Sequence, residues 1–453
     1  MRLPVPRMYH PKKPTNQILV VISLSSVYHT PNFFFFRAAG ITWRDMLTFW
    51  LPGDSFVLHD MAQPKPEYPG KLLQAAAIAK PFQDSIQTEI SERKEKQLSI
   101  PKLVGILAKP SPPSIAYAEW TAKACQAVGI NFEIWKTWDD SEDVSETQEA
   151  ESLQNFGLEA DVEDLILAAN RDKSVDGIMV YYPIFGGRQD TYLQQIVNPS
   201  KDVEGLNFFY CWNMYHNVRW IKPSQLGSAP GSTNEAELVA SDAGAPEEEN
   251  APPGFCKSIL PCTPLAVVKC LESVGVYDTS LPYGNRLHGK TITVINRSEV
   301  VGRPLAALLS NDGARVFSVD IDSIVEFSKR TDEANNTNYK KSSKVVQAHK
   351  ENSSARLRPA HDVRSSPYKD PESCVRASDV VIGGVPSASY KVPTAWIKEG
   401  AVCVNFSSEK NFESDVRSRA AAYLPAIGKI TVSMLQRNLL RLVAYKELAS
   451  QQS

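Results

Sequence analysis

The stretch TITVINRSEVVGRPLAALLSNDGARVFSVDID, residues 291–322, reads strand, tight turn, helix, strand. The apolar run 290–295 predicts a strand, 301–311 a helix and 314–319 a second strand. Two neighbouring strands joined through a helix are parallel, because a parallel pair needs a long crossover. The turn at 296–304 then lies beyond the carboxyl end of a strand and at a helix N-terminus, where backbone N–H groups can meet a pyrophosphate. The G-x-G-x-x-G pattern is missing: between Asn296 and Pro304 only Gly302 remains, and it lets helix 301–311 approach the sheet. About twenty residues past the turn, RVFSVDID sets Asp320 at a strand end. An acidic side chain there accepts from a ribose 2′-OH and repels a 2′-phosphate, which favours NAD over NADP. The other reading of Asp320 is an exposed strand-end charge.

The same alternation runs outward on both sides. A long amphipathic helix is expected over roughly 70–97, a strand at 102–108, a helix at 114–128 and a strand in NFEIWKTW. VEDLILAANRD reads as a helix, 175–183 as a strand and DTYLQQIV as a helix. Beyond residue 255 come the helix TPLAVVKCLESVG, the strands ASDVVIGGV and AVCVNFS, and a closing helix over 431–449. Strands alternating with helices give an α/β class with parallel-rich sheets wound on both sides. Two such blocks imply two lobes with a cleft between, the second a Rossmann-like NAD-binding lobe.

The blocks are separated by 223–255, rich in Pro, Ala, Ser and acid, which cannot bury enough surface to offset the entropy of ordering. Residues 329–372, mostly Lys, Asn, Ser, Arg and Asp, read as an insertion. The expected organisation is an N-terminal extension (1–60), a first lobe (61–222), the low-complexity stretch, a nucleotide lobe (256–430) and a C-terminal helix (431–453) that packs back on the first lobe. In the extension the apolar QILVVISLSS follows Arg2, Arg7, Lys12 and Lys13, and no acidic residue precedes Asp45. This suits a targeting leader, or a poorly ordered extension ahead of an alternative start at Met61; the apolar run is too short to span a bilayer.

With 43% hydrophobic and 22% charged residues and a net charge of −2, the 453-residue chain is composed like a globular protein, not like a bulk nucleic-acid binder. Seven scattered cysteines without a C-x-x-C pair suggest a reducing compartment. The histidines cluster nowhere, so no metal site is expected.

SVDGIMVYYPIF (174–185), NPSKDVEGLN (198–207), ILPCTPLAVV (259–268) and INRSEVVGRPLAALL (295–309) together resemble the methylenetetrahydrofolate dehydrogenase/cyclohydrolase family, in particular its monofunctional, NAD-dependent fungal branch. The resemblance covers roughly 70–222 and 256–450 apart from the insertion. It implies oxidation of 5,10-methylenetetrahydrofolate to 5,10-methenyltetrahydrofolate with NAD, a folate-binding first lobe, a homodimer and, with the scattered cysteines, a cytosolic enzyme; residues 1–60 leave a mitochondrial location open. Bifunctional members carry S-x-x-Y-x-x-x-K on the first-lobe helix. Here Ser114 and Tyr117 match, and Thr121 stands in the lysine's place. Lys123 lies about 200° further round the helix and cannot substitute. Tyr181 replaces the glutamine of V-Q-L-P, and Glu204 the second aspartate of D-V-D-G.

The resemblance assigns Tyr117, Tyr181, Glu204, Pro261 and Cys262 to the substrate, with Tyr117, Glu204 and Cys262 as catalytic candidates. Tyr117 would stack on or hydrogen-bond the folate, or serve only as a helix residue. Glu204 would grip the pterin N–H edge as a carboxylate, or stabilise its turn. Cys262 would carry a lowered thiol pKa or simply line the cleft, and Tyr181 would be strand packing or a substrate contact. The cofactor candidates are Arg297, Ser298, Gly302, Asp320 and Ile321 at the adenosine and pyrophosphate end. Gly384, Val385 and Pro386, with Asn405, Phe406 and Ser407, stand toward the nicotinamide. Two other functions stay open: a bifunctional enzyme using another base, and a catalytically silent NAD- or folate-binding regulator.

Overall fold

Ser111 shows how local sequence sets the first lobe. It caps the helix Pro112–Val128 (α2) from its N-terminus, with prolines filling the first positions, and Gly129 ends it at φ 84°. The computed structural model describes residues 69–109, 111–138, 151–226, 251–330 and 360–452; the extension 1–60, Met61 and most of the low-complexity stretch fall outside these. Glu67–Ser453 form one compact unit.

In chain order the elements begin with β1 (Lys71–Leu72), α1 (Ala75–Glu95), β2 (Lys102–Leu107), α2, β3 (Asn131–Lys136) and α3 (Glu151–Arg171). They continue with β4 (Gly177–Val180), α4 (Gly187–Ile196), α5 (Phe208–Tyr215), β5 (Trp220–Ile221), β6 (Cys256–Lys257) and α6 (Cys262–Ser273). The nucleotide lobe adds β7 (Thr291–Ile295), α7 (Gly302–Asn311), β8 (Arg315–Val319), β9 (Ile324–Lys329), β10 (His361–Ser365) and α8 (Pro371–Ala377). The chain closes with β11 (Val380–Gly383), β12 (Val402–Asn405), β13 (Ala422–Leu424) and α9 (Gly428–Gln452).

The first lobe holds a three-stranded parallel sheet, β3-β2-β4. Every residue of β4 is buried, as expected of a strand covered on both faces. The second sheet has the order β1-β13-β12-β11-β7-β8-β9-β10 and is parallel up to β8. From there β9 and β10 fold back antiparallel as an edge hairpin. α9 returns across the first lobe. Arg93 pairs with Glu447 at 2.6 Å, and Asn438 donates to the carbonyls of Val203 and Leu260. No described helix is long and apolar enough to cross a membrane.

Three readings need correction. Residues 71–72 are not the start of α1; they pair with Ala422 and Tyr423 in the nucleotide lobe's sheet. The stretch 329–372 is not wholly an insertion, because β9 ends at Lys329 and β10 begins at His361, pairing with it in register. Their charged residues fit an edge hairpin, whose polar face meets solvent and whose termini hide the alternation. In 223–255, Pro223–Gln225 forms a short 3-10 turn, and the following Cys256–Lys257 pairs with Trp220–Ile221. The helix α5, built on the aromatic run FFYCWNMY, had no counterpart in the periodicity reading.

Candidate active site

Asp202 builds the folate side. It is fully buried, and its Oδ1 accepts from Glu204 N at 3.0 Å and Gly205 N at 2.9 Å, while Oδ2 accepts from Asn207 N at 2.7 Å. Burial pushes its carboxyl up to about 6, against the pull of these backbone N–H groups. The turn so formed places Gly205 at φ 70°, with its Cα face against the backbone of Leu260 and Pro261; an added Cβ would stand 2.8 Å from Leu260 C and 2.9 Å from Pro261 N. D-V-E-G and P-C-T-P are thus packed backbone to backbone, and the Glu204 carbonyl accepts from Cys262 N at 3.2 Å, at the start of α6. Pro261 is the residue just before that helix.

Glu204 turns inward. Its Oε2 accepts from Val180 N at 2.9 Å, and desolvation, reinforced by Asp202, raises its carboxyl to about 8. Burial thus favours the protonated form of this carboxyl, in which it could donate, whereas the sequence alone suggests a carboxylate. Cys262 is buried beside it, and burial with the Glu204 carboxyl nearby pushes the thiol up to about 12. Of the two readings of Cys262, lining wall fits and an activated thiolate does not.

Tyr117 stands across from them on α2. Its ring lies 6.0 Å from Trp120, near parallel, and 5.8 Å from Tyr181, edge to face. The residue is 37% exposed, yet its hydroxyl end lies among protein groups; desolvation, then Cys262, Glu204 and Tyr181, raise its pKa. Tyr181 follows β4, is buried, and its Oη has no hydrogen bond of good geometry, although Thr121 is close enough to influence it. Thr121 itself is fully buried and donates to the Tyr117 carbonyl at 2.8 Å. Lys123 is exposed. Tyr117, Tyr181, Glu204 and Cys262 are thus brought together.

Two further residues shape this end without having been singled out. Lys109, just past β2, donates to Ile184 O at 2.6 Å. Asp190, buried on α4, accepts from the backbone N–H groups of Ile184, Phe185 and Gly186 and fixes the loop after β4. Neither carries a motif; each is visible only once the loop is folded.

The nucleotide side is made of backbone. Asn296 has φ 137°, and its side chain donates to Gly384 O at 2.8 Å while accepting from Ser298 N at 2.7 Å. Ser298 Oγ accepts from Val301 N and Gly302 N, both at 3.3 Å, closing the start of α7. A Cβ on Gly302 would lie 2.0 Å from Asn296 O, so only glycine allows this approach. Arg297 reaches across to the β8–β9 turn, where Nε donates to Ser318 Oγ at 3.0 Å and Nη1 to Ser323 Oγ at 2.8 Å. That turn holds Asp320 and Ile321, both exposed, Ile321 at 96%. Val385 N donates to Asn411 Oδ1 at 2.7 Å, Ser407 Oγ to Val385 O at 2.9 Å, and the Phe406 ring lies across Gly384. Pro386 follows in the same loop. Asn405 is fully buried and its amide donates to Ser407, Glu409 and Pro425 carbonyls, so it staples this loop from beneath. The close glycine, the exposed Asp320 and the backbone-lined turn fit a dinucleotide.

Residues 73–204 match the tetrahydrofolate dehydrogenase/cyclohydrolase catalytic domain, and 261–336 that family's NAD(P)-binding domain. The chain is 40% identical over 383 residues to the Schizosaccharomyces pombe methylenetetrahydrofolate dehydrogenase [NAD(+)], covering 84% of this chain and 96% of the relative. It is 41% identical over 386 residues to the Saccharomyces cerevisiae protein of the same name, covering 84% and 99%. The solved NAD-dependent 5,10-methylenetetrahydrofolate dehydrogenase from Saccharomyces cerevisiae superposes with a TM-score of 0.65 at 39% identity, covering 84% of this chain and 99% of that one. Matched along nearly the whole length of such relatives, the chain belongs to the tetrahydrofolate dehydrogenase/cyclohydrolase family.

Proposed function

We propose that this chain oxidises 5,10-methylenetetrahydrofolate to 5,10-methenyltetrahydrofolate with NAD and does not catalyse the subsequent hydrolysis. The observation that carries the second half is Thr121: it stands at the lysine position of S-x-x-Y-x-x-x-K, is fully buried, and commits its hydroxyl to the Tyr117 carbonyl. The turn 296–302 with Asp320 would hold NAD, which would supply the hydride acceptor for the methylene carbon. The ring nitrogens of the folate stabilise the cation left behind, so the step asks the protein for alignment and electrostatics and not for a base. Tyr117 offers a ring face to the folate, neutral Glu204 a hydrogen-bond donor, and Cys262 with Pro261 an apolar wall. The turn 296–302 supports the pyrophosphate and Asp320 the ribose.

Hydrolysis is different, because water must be activated and a proton moved, which calls for a placed acid or base. General acid–base help contributes about 10²–10⁴-fold, so methenyltetrahydrofolate should decay at the buffer rate. Purified protein with NAD and methylenetetrahydrofolate should yield NADH and the methenyl absorbance together. Added to methenyltetrahydrofolate alone, it should leave the decay unchanged. Decay proportional to enzyme concentration would establish a bifunctional enzyme, with Glu204 the acid to test first. The same reading takes the protein as a cytosolic homodimer, supported by the family resemblance and the scattered cysteines; light scattering and cell fractionation test those two points.

A further inference from the structure

Where the lobes join, against α6, lies a cavity of about 140 Å³. Its walls come from both halves of the molecule: the end of α5 and β5–β6 on one side, α7 and the connection Tyr277–Arg286 on the other, with α6 and α9 between. Six of its lining side chains are cationic, Arg219, Lys257, Lys269, Arg286, Arg437 and Arg441, against two carboxylates, Glu272 and Asp312.

Both carboxylates are already engaged. Asp312 accepts from Arg219 at 2.6 Å and from the Tyr277 hydroxyl at 3.0 Å, and Glu272 accepts from Lys269 at 2.7 Å. Arg437 and Arg441 sit one turn apart on α9. Among the described residues neither has a carboxylate at ion-pair distance: Arg437 packs over the Phe82 ring at 5.2 Å, and Arg441 donates to Ser258 O at 3.3 Å. Burial and the neighbouring Arg441 depress the pKa of Arg437, as expected of two cations forced together in a poorly hydrated wall. The Tyr283 ring braces the opposite side, with the Arg219 guanidinium 4.8 Å from its centroid. A concave, partly buried wall with six cationic side chains, and with both its carboxylates already engaged by Lys269, Arg219 and Tyr277, is matched by a tetrahedral oxyanion.

We infer that this cavity is a binding site for a phosphate group, cross-tying α9 to the nucleotide lobe and separate from the pyrophosphate turn at 296–302. The size of the cavity admits inorganic phosphate or the phosphate end of a small ester. The test is calorimetric titration of the full chain saturated with NAD, which fills the nucleotide turn, at fixed ionic strength. Inorganic phosphate and ribose 5-phosphate are the two probes. Saturable binding of either supports the site, and the tighter of the two identifies the free ion or the ester as the ligand. Arg441→Gln should weaken it about 10- to 100-fold, the loss of one charge-assisted contact. Arg437→Lys should retain more binding than Arg437→Gln, which separates charge from packing; NAD affinity reports that each variant is folded. Absence of saturable binding up to the solubility of phosphate, or binding indifferent to Arg441→Gln and Arg437→Gln alike, overturns the assignment.

Discussion

The nucleotide turn 296–302 is a backbone loop whose N–H groups at 298, 301 and 302 are held by Asn296 and Ser298, with the exposed carboxylate Asp320 beyond it; the folate end is made of side chains, Tyr181 and Cys262 buried, Glu204 partly so and Tyr117 half-exposed. The first pole fails through volume, because a Cβ at Gly302 meets a carbonyl. The second is governed by desolvation, which is the main cause raising Glu204, Cys262 and Tyr117, with nearby acidic groups adding to it. A pole made of backbone tolerates changed neighbours but not added atoms. A pole of mutually desolvated side chains tolerates size better than charge.

The largest effect should come at the backbone pole. Gly302→Val drives side-chain atoms into Asn296 O, only 2.0 Å from the site of the added Cβ, and overpacking against an unyielding carbonyl costs about 3 kcal/mol. NAD should then bind roughly 100-fold more weakly, measured by fluorescence quenching, while folate binding persists. A variant with ordinary NAD affinity would mean the turn yields, and the contrast between the poles would collapse.

A smaller effect, with a pH signature, belongs to the folate pole. Glu204 titrates near 8 in the fold, above the ordinary 4.5. The folded state thus binds this proton more tightly than the unfolded chain. The stability it contributes is complete below 4.5, falls as pH rises, and is gone above 8. Glu204→Gln keeps the acceptor for Val180 N–H and removes the ionisation. Its melting midpoint should match the parent near pH 5 and exceed it by a few degrees, roughly, at pH 9. Equal midpoints at both pH values would show that the group ionises freely. The smallest effect is Asp320→Ser, at an exposed position where solvent screens the charge. The NAD/NADP ratio of kcat/KM should fall about tenfold without loss of stability; a parent enzyme that prefers NADP would remove Asp320 from the argument.

Much of this was legible before folding because it is local. The strand–turn–helix at 291–311 and the buried run of β4 are written in adjacent residues. The pairing of Glu204 with Cys262 comes instead from the family resemblance, since D-V-E-G at 202–205 and P-C-T-P at 261–264 meet only in the fold. What escaped depends on partners far away. Lys71–Leu72 has no period to read and becomes a strand only beside β13. β9 and β10 hide in a charged stretch because an edge hairpin needs few apolar residues. The role of Asp202 was eclipsed by the more conspicuous Glu204, and the raised pKa of Glu204 depends on burial, which no spacing conveys.

The pairing of β1 with β13 also bears on how such enzymes can be recombined. Arg417 donates to the Gly70 carbonyl across 347 residues, and the first described strand closes the edge of a sheet otherwise supplied by the chain's second half. A chimaera that exchanged only residues 256–427 between relatives would receive a sheet whose border belongs to the other parent. An interchangeable nucleotide module of this chain would therefore have to be cut in two places: the strand at 71–72 must travel with the sheet it edges, though the whole first lobe separates them in the sequence.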